Sequence, residues 1–364
     1  TGEKLEEFPL SLNLCNSCFH LQLGVVVNPD LMFRDYLYVS GTSKTLNQYF
    51  CDFVDICEKY VDDRKTVLDI ACNDGTQLDK FKEKGWKTYG IDPATNLHKL
   101  SSQNHDVICD YWSTANAGKM NKIYGAIVAQ NVFAHVDDVH DFLKACSVVM
   151  DEDSRLFIQT SQADMILNNE FDTIYHEHLS FFSTKSMKRC ANINGFSLID
   201  VFKTEVHGGS YVFVLSSGKQ DEKEALDFIA KEESTGLYDT NTYDVYAKRC
   251  HEVSSKLVEE VNRFKSGGYK VVGYGAAAKG NTFLNFSCLD LDYIVDDNKL
   301  KWDLYTPGRN ILIKNSSCLA EEAPENLVIV PLAWNFFKEI KQRAEQIIGT
   351  KVKFIKYFPE VKVL

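Results

Sequence analysis

Apolar and polar residues alternate along this chain in blocks of two different periods. The stretch "TVLDIACNDG", which begins at Thr66, is an apolar strand that runs into a glycine turn, and the following "LDKFKEKG" has the spacing of an amphipathic helix that ends at Gly85. The strands "KTYGIDPA", "DVICDY", "YGAIVAQNV" and "SRLFIQT" come next, separated by segments such as "DDVHDFLKACSVVM" with helical spacing. This alternation predicts an α/β fold in which a parallel sheet carries helices on both faces.

The same pattern restarts in the C-terminal part of the chain. "FSLIDVFKTEVHGGSYVFVLSS" predicts two strands joined by a glycine turn, and the charged stretch from Asp221 to Lys265 predicts two helices with a break near Gly236. "YKVVGYGAAAKGNTFLN" and "LDYIVDDN" then repeat strand, glycine turn and helix. We therefore expect an N-terminal region (residues 1–60), a first α/β domain (61–218), and a helical linker with a second α/β domain (219–364).

Length, charge and cysteine usage restrict the possible partners. At 364 residues the chain is too long for one ordinary core. The net charge of −11 argues against nucleic acid as a partner. No apolar run approaches the roughly 18 residues that a membrane-spanning helix needs, so we expect no membrane partner. The eleven cysteines are mostly single and lie in apolar runs, which predicts reduced thiols and a cytoplasmic protein.

Acidic residues follow the first three predicted strands. Asp69 lies near the end of the first strand, with Asn73 and Gly75 in the turn after it. Asp92 ends the second strand, where a carboxylate can accept hydrogen bonds from both hydroxyls of a ribose. Asp110, in "CDYW" after the third strand, lies with aromatic residues against which an adenine ring can dock. Any α/β protein can carry such turns, so the bland alternative is a fold without this ligand.

The turn is not G-x-G-x-x-G, and its acidity suits a cofactor without a pyrophosphate. The order D-x-x-C-x-D-G, GID, CD and QN on consecutive strands resembles the class I S-adenosylmethionine (SAM) methyltransferases. The sulfonium and amino groups of SAM are positive and tolerate nearby carboxylates. The resemblance implies SAM as the cofactor, with Asn131 of "QN" among the residues that contact it.

The whole chain resembles one family, the sugar-nucleotide C-methyltransferases of deoxysugar biosynthesis. The matching pieces are "YVSGTSKT", "LDIACNDG", "QNVFAHVDD", "FDTIYHEHLSFFS", "HGGS" and "GYGAAAKGN…VDDN". This resemblance implies a class I methyltransferase domain, a Rossmann-like C-terminal domain and an N-terminal zinc-binding region. It also implies a nucleoside-diphosphate 4-keto sugar as the substrate, methylated on the carbon beside the ketone.

The cluster "YHEH" fits this chemistry. A C–H bond next to a ketone must lose its proton before the carbon can attack a methyl group, which requires a base and stabilisation of the enolate oxygen. We expect His178 to be the base, because histidine titrates near neutrality. Glu177 is expected to orient His178 or the sugar hydroxyls, and Tyr175 to donate to the oxyanion or to assist proton transfer. Two alternatives are a metal site on His176 and His178, which lacks the HExxH spacing, and a polar turn.

The resemblance also implies further substrate contacts. A leader tyrosine, Tyr36 or Tyr38, is expected to face the same cleft as Asn131 and His135. In "HGGS" the implied contacts are His207 and Gly209. The family often has a basic residue two positions after this motif, where this chain has valine, and this departure leaves the sugar and the methylated position open.

The C-terminal glycine loop allows two ligands. "GYGAAAKG" fits G-x-G-x-x-A, and Asp296 lies about 20 residues further on, so an NAD-dependent dehydrogenase is a rival interpretation. The resemblance instead assigns the sugar nucleotide to this domain, with Lys279 and Asn281 as contacts. Backbone N–H groups at a helix N-terminus and a lysine suit a diphosphate. A ligand-free turn is the bland alternative.

The pair Cys15-x-x-Cys18 supplies half of a four-ligand zinc site. The resemblance implies a second CxxC upstream, so we expect a structural zinc site that is incomplete in this chain. Two ordinary thiols in a β-hairpin are the alternative.

The leading hypothesis is a SAM-dependent C-methyltransferase that acts on a nucleotide 4-keto sugar through an enolate. An O- or N-methyltransferase that acts on a nucleotide sugar is the alternative enzyme. A scaffold that only binds nucleotides is the non-enzymatic alternative.

Overall fold

A computed structural model describes residues 6–36, 38–42, 44–204, 206 and 209–364. The chain forms two compact units. The N-terminal unit consists of Phe8–Ala163 and His176–Tyr238. The C-terminal unit consists of Asp164–Tyr175 and Asp239–Leu364, with the described residues before Phe8. The chain thus passes between the units within the "YHEH" motif.

The N-terminal unit is built on a large mixed sheet and a small antiparallel one. Elements are numbered along the whole chain. The strands of this unit are β1 (Leu12–Leu14), β2 (Leu21–Leu23), β3 (Thr66–Ile70), β4 (Lys87–Ile91), β5 (Asp106–Ile108), β6 (Ala126–Gln130), β7 (Arg155–Thr160), β8 (Ser180–Phe181), β9 (Phe196–Thr204) and β10 (Ser210–Ser217). Its helices are α1 (Asp30–Phe33), α2 (Lys44–Cys57), α3 (Thr76–Glu83), α4 (Thr95–Ser101), α5 (Thr114–Met120), α6 (Val139–Val148), α8 (Thr184–Ile193) and α9 (Lys223–Ser234).

The large sheet has the order β5-β4-β3-β6-β7-β10-β9. The first five strands of this order are parallel, and β10 inserts antiparallel between β7 and β9. Apolar clusters cover both faces of the central strands, with Leu68 and Ile127 on one face and Val67 and Val128 on the other. Double burial explains why these strands are almost continuously apolar in sequence. The predicted α/β fold of the class I methyltransferases is confirmed.

The C-terminal unit is a second, independent α/β layer structure. Its strands are β11 (Lys270–Tyr274), β12 (Ile294–Asp296), β13 (Ile313–Asn315), β14 (Leu327–Pro331), β15 (Lys353–Lys356) and β16 (Lys362–Val363). Its helices are α7 (Met165–Asn168), α10 (Thr240–Ser266), α11 (Ala278–Ser287) and α12 (Phe337–Ile348). The sheet order is β13-β12-β11-β14-β15-β16, with only β16 antiparallel, as predicted for a Rossmann-like domain.

The long charged stretch is divided as the sequence predicts. Helix α9 ends before Gly236, which has a φ of 81°, and α10 begins at Thr240. The Asp239 side chain accepts a hydrogen bond from Asn241 N and caps α10. Because α9 packs on β9 and α8, the compact units divide the chain at 238/239. The predicted three-part division at 60/61 and 218/219 stays a prediction about domains. Within the described residues, no helix combines the length and the apolar character needed to cross a membrane.

Candidate active site

The turn after β3 lies close against neighbouring backbone. Gly75 precedes α3 with a φ of 86°, and a Cβ added there would lie 3.1 Å from His105 Cδ2 and 3.2 Å from Ser101 Cα. Asn73 is also left-handed, with a φ of 53°. A tight turn of this kind brings backbone N–H groups to the carboxyl edge of the sheet, where ligands of α/β proteins bind.

Asp92 holds this turn together. Its Oδ2 accepts from Asn73 N at 2.8 Å, and its Oδ1 accepts from Ala94 N at 2.7 Å. Burial raises the pKa of Asp92, and the two backbone donors oppose that shift. The pKa of the buried Asp69 is raised well above its usual value by burial, and further by the charges of Asp92 and Asp74. The turn is therefore a strongly acidic place that gains from a positively charged ligand.

The leader segment before α2 covers the same turn. Ser40 N donates to Asn73 Oδ1 at 3.0 Å, and Asn73 Nδ2 donates to the Tyr38 carbonyl at 3.0 Å. Gly41 N donates to Asp74 Oδ2 at 2.9 Å. The side chain of Asn73, a predicted cofactor contact, thus binds the leader backbone and brings Tyr38 to this edge of the sheet.

Asp110 follows β5 at the same edge of the sheet. Its Oδ1 accepts from Tyr111 N at 2.8 Å, and this backbone bond lowers the pKa of Asp110. The Arg34 guanidinium lies 4.6 Å from the Tyr111 ring centroid, and Tyr111 Oη donates to Asp30 Oδ1 at 2.9 Å. Tyr111, one of the aromatic residues expected beside Asp110, is therefore hydrogen-bonded to Asp30 of α1.

Two of the predicted histidines lie in a stack of rings. His135 stacks on His178 with centroids 5.2 Å apart and an interplanar angle of 29°. The Phe33 ring lies on His135 at 5.6 Å and 10°. Burial lowers the pKa of His135 to about 4, so this imidazole is neutral at physiological pH. Phe33 was not predicted from sequence, because its contact with His135 is purely tertiary.

Glu177 joins the same group of side chains. Tyr36 Oη donates to Glu177 Oε2 at 3.3 Å, and burial raises the pKa of the Glu177 carboxyl. The rings of Tyr36 and Tyr38 are 6.5 Å apart. The structure thus brings together Tyr36, Tyr38, His135, Glu177 and His178 within the N-terminal unit.

The other two members of the motif are Tyr175 and His176. Tyr175 is the last residue of the segment that belongs to the C-terminal unit. His176 Nε2 lies 3.3 Å from the Pro9 carbonyl oxygen, and the ring packs edge-on against Phe8. In the described part of the chain, neither His176 nor His178 belongs to a group of three or more potential metal ligands.

Two glutamines at the ends of β6 and β7, which were not among the predicted site residues, have buried amide groups. Gln130 and Gln159 are register partners, and Tyr49 Oη donates to Gln159 Oε1 at 2.7 Å. Both Nε2 groups are buried without a hydrogen-bond partner among the described residues. Asn131, with a φ of 55°, follows directly and donates its N–H to the Gln159 carbonyl. Buried donors without acceptors require an explanation, and a bound ligand oxygen is one.

The "HGGS" motif after β9 lies only partly within the described residues. His207 lies outside the described residues. Gly209 has a φ of 106°, and a Cβ added there would lie 3.5 Å from Gln162 Nε2. The predicted substrate contact at Gly209 stays a prediction.

The C-terminal unit has a pocket beside its own glycine loop. It measures about 220 Å³ and is lined by Gly275, Asn281, Thr306 and Leu332 among others. The Asn281 Oδ1 atom is buried and has no hydrogen-bond partner within the described ranges. Lys279 is the neighbouring cation, with its Nζ 5.3 Å from the Trp334 ring centroid.

Asp296 is used by this loop itself. Its Oδ2 accepts from Ala276 N at 2.7 Å, and its Oδ1 accepts from Asn298 N at 2.8 Å. Lys301 Nζ lies 3.4 Å from Oδ2 and also donates to the Ala276 carbonyl. An NAD ribose would have to compete with Lys301 for this carboxylate, which weighs against the dehydrogenase interpretation.

Cys15 and Cys18 lie in a tight turn between β1 and β2. Phe19, with a φ of 58°, donates its N–H to the Cys15 carbonyl. Backbone hydrogen bonds from Cys18 and Ser17 lower the pKa of the Cys15 thiol, whereas burial raises that of Cys18. The described residues offer no third ligand, so they do not by themselves form a complete zinc site. The zinc site stays a prediction.

Comparisons with known proteins identify the class of enzyme. A methyltransferase domain model matches residues 43–201, and a model described as the C-methyltransferase C-terminal domain matches residues 205–359. C-methyltransferase NovU of Streptomyces niveus is 29% identical over 100% of this chain and 89% of its own length. This chain is a SAM-dependent methyltransferase.

Two other similarities are confined to part of the methyltransferase. A ubiquinone biosynthesis O-methyltransferase of Rhodopseudomonas palustris is 31% identical over 26% of this chain and 39% of its own length. A SAM-dependent methyltransferase of Clostridium acetobutylicum, known from a crystal structure, has 11% identity and a TM-score of 0.40 over 48% of this chain and 92% of its own.

The residues of the methyltransferase fit SAM. The buried carboxylates of Asp69 and Asp92 suit its positive groups, and the close-packed turn at Gly75 leaves backbone N–H groups at the carboxyl edge. Gln130 offers a buried donor beside that turn's sheet edge. We expect Asp92 to hold the ribose hydroxyls and Asp110 to lie beside the adenine.

Proposed function

We propose that this methyltransferase adds a methyl group to the carbon next to the ketone of a nucleoside-diphosphate 4-keto sugar. The observation that carries the proposal is the stack of His178 on the neutral His135, beside the Glu177–Tyr36 pair. The whole-length similarity to a C-methyltransferase supports carbon as the acceptor. The acidic turn after β3 supports SAM as the donor.

In this proposal His178 removes the proton from the sugar carbon. The C–H bond breaks, its electron pair moves to the ketone oxygen, and an enolate forms. Because His135 is neutral, the proton taken up by His178 meets no second positive charge in the stack. Tyr175 donates a hydrogen bond to the enolate oxygen, and Glu177, held by Tyr36, orients a sugar hydroxyl. Bound SAM would supply an electrophilic methyl group. As the enolate carbon forms the new C–C bond, the methyl–sulfur bond would break, its electron pair would stay on sulfur, and S-adenosylhomocysteine would leave.

The C-terminal unit is assigned the nucleotide part of the substrate. The N-terminal turn of α11 presents backbone N–H groups beside the pocket at Gly275, which suits a diphosphate. Lys279, in the first turn of α11, would add positive charge near the pocket. The Asn281 Oδ1, which has no hydrogen-bond partner among the described residues, would offer an acceptor for the ligand. All eleven cysteines lie within described ranges and have free thiols, and a cytoplasmic location remains our expectation.

The test is methyl transfer itself. The enzyme is incubated with SAM and a panel of nucleotide 4-keto sugars, and the position of the new methyl group is read by NMR. His178→Asn should lower turnover by roughly 10²–10⁴-fold, the usual contribution of a general base. SAM affinity should stay near the wild-type value, because His178 serves the substrate.

His176→Asn is the matched control from the same motif. His176 faces the Pro9 carbonyl and Phe8, so this variant should keep most of its turnover. In D₂O the wild type should exchange the hydrogen beside the ketone, and His178→Asn should not. Near-normal turnover in His178→Asn would reject the base assignment. A product with its methyl on oxygen or nitrogen would reject the C-methyltransferase proposal in favour of the alternative enzyme.

A further inference from the structure

We propose that Trp334 of the C-terminal unit is a positioning residue for the segment that leads into the catalytic motif. This inference rests on the proposed function, because it concerns how Tyr175 is placed. The segment Asp164–Tyr175 belongs to the C-terminal unit, although it precedes His176 directly in the chain.

A buried hydrogen bond links this segment to the C-terminal fold. Trp334 Nε1 donates to Asp172 Oδ2 at 2.6 Å, across 162 positions of sequence. The Asp172 side chain is fully buried, and its Oδ1 has no hydrogen-bond partner within the part of the chain that the structure describes. The indole N–H is therefore a principal partner of a carboxylate three residues before Tyr175.

The charge of Asp172 has few other sources of stabilisation. Burial raises the pKa of Asp172 to about 6, while the Lys279 ammonium and the Trp334 N–H act in the opposite direction. Lys279 itself lies over the face of the Trp334 ring. Trp334 thus makes two interactions: its indole N–H donates to Asp172, and the face of its ring contacts the Lys279 ammonium.

An aromatic cluster holds the residue next to Asp172. The Phe171 ring lies 5.4 Å from Phe283 and 4.9 Å from Phe286, both on α11, and 5.7 Å from Phe358. Such apolar packing is not directional, so it fixes how deep the segment sits but leaves its orientation open. The Asp172–Trp334 bond is directional and supplies what the packing cannot.

Trp334 is also connected to the wall of the glycine-loop pocket. Leu332 lines that pocket, and a Cβ added at Gly275 would lie 2.9 Å from the Cβ of Ala333. Trp334 is the next residue after these two. The pocket assigned to the nucleotide and the segment that carries Tyr175 therefore share one short stretch of backbone.

The test compares two tryptophan variants in the full-length enzyme. Trp334→Phe keeps a six-membered aromatic ring but removes the pyrrole ring with its N–H donor. Because small misplacement of a catalytic group costs on the order of 100-fold in rate, we expect kcat to fall by roughly 10- to 100-fold. The KM for the nucleotide sugar and the Kd for SAM should not change. Trp86→Phe is the matched control, since Trp86 also donates its indole N–H to a carboxylate, Glu58, at 3.2 Å.

Two variants of the acceptor complete the design. Asp172→Asn keeps an oxygen for the indole N–H and should retain most of kcat. Asp172→Leu removes the acceptor and should resemble Trp334→Phe. Hydrogen–deuterium exchange of residues 164–178 gives a second readout that needs no turnover. It should be faster in Trp334→Phe and unchanged in Trp86→Phe.

The possible outcomes are distinct. Wild-type kcat and wild-type exchange in Trp334→Phe would overturn the inference. A loss of SAM affinity together with an equal rise in the substrate KM would also overturn it, because it would show a merely structural role. If the wild type methylates no nucleotide sugar, the proposed function fails, and the exchange measurement still decides whether Trp334 holds the segment.

Discussion

Asp92 has two tasks that one substitution can separate. Its oxygens accept from Asn73 N at 2.8 Å and from Ala94 N at 2.7 Å, and it is expected to hold the SAM ribose as well. Asp92→Ala would leave both buried N–H groups without an acceptor and would confound the two tasks. Asp92→Asn keeps one acceptor oxygen and removes the charge, so it is the better perturbation.

The magnitude follows from the lost bonds. One buried N–H group loses its acceptor, which costs about 1–3 kcal/mol of folding free energy. A hydrogen bond to a charged group contributes about 1.5–3 kcal/mol, so losing it from the ribose should raise the Kd for SAM by roughly 10- to 100-fold. Calorimetric titration with SAM measures the second effect, and urea unfolding without SAM measures the first.

The matched control is Asp296→Asn in the C-terminal unit. Asp296 accepts from Ala276 N at 2.7 Å and from Asn298 N at 2.8 Å, which is the same clamp on the other glycine loop. We expect a similar loss of stability but an unchanged Kd for SAM. Wild-type SAM affinity in Asp92→Asn would refute the ribose assignment. An equal loss of SAM affinity in both variants would show that only general destabilisation had been measured.

Two further predictions concern stability. The buried Glu232 carboxylate accepts hydrogen bonds from Thr184 N at 3.2 and 3.1 Å and from Tyr238 Oη. Glu232→Ala should therefore lower the free energy of unfolding, measured by urea titration, by roughly 2–5 kcal/mol. Glu233→Ala is the control and should have little effect, because Glu233 is exposed. Burial raises the pKa of Glu170 from 4.5 to about 7, so the folded protein binds this proton more tightly than the unfolded chain does. The stability that the protonated Glu170 contributes is fully present below pH 4.5 and is lost as pH rises through about 7. Urea titrations at a series of pH values should therefore show a smaller decline in the free energy of unfolding over this window in Glu170→Gln than in the wild type. An identical decline in the two proteins would contradict the assignment.

The architecture could be predicted because its signals are local. Strands β3, β6 and β7 are buried on both faces and are therefore apolar throughout, and the helices between them have their own period. The break at Gly236 was visible for a similar reason, since a positive φ there requires glycine or a similar residue. The position of Asp92 at the end of a strand also followed from the alternation of elements.

Other parts of the site depend on contacts that leave no local signal. The contact of Phe33 with His135 and the bond of Tyr49 to Gln159 join residues far apart in the chain, and neither side chain is unusual for its own segment. The structure adds bonds from the Asn73 side chain to the leader, and the predicted contact of Asn73 with the cofactor stays a prediction. An amide can serve either role, and only its neighbours decide between them.

The sequence by itself determined the two α/β layers, the acidic turn and the concentration of proton-handling groups in "YHEH", because periodicity and composition act over a few residues. The tertiary structure decided which of those groups meet. It stacked His178 on His135 but turned His176 toward Pro9, and it tied Asp172 to Trp334 across 162 positions. Hydrogen bonds and ring contacts are short-ranged in space and carry no record of sequence distance, so their partners are fixed only when the chain has folded.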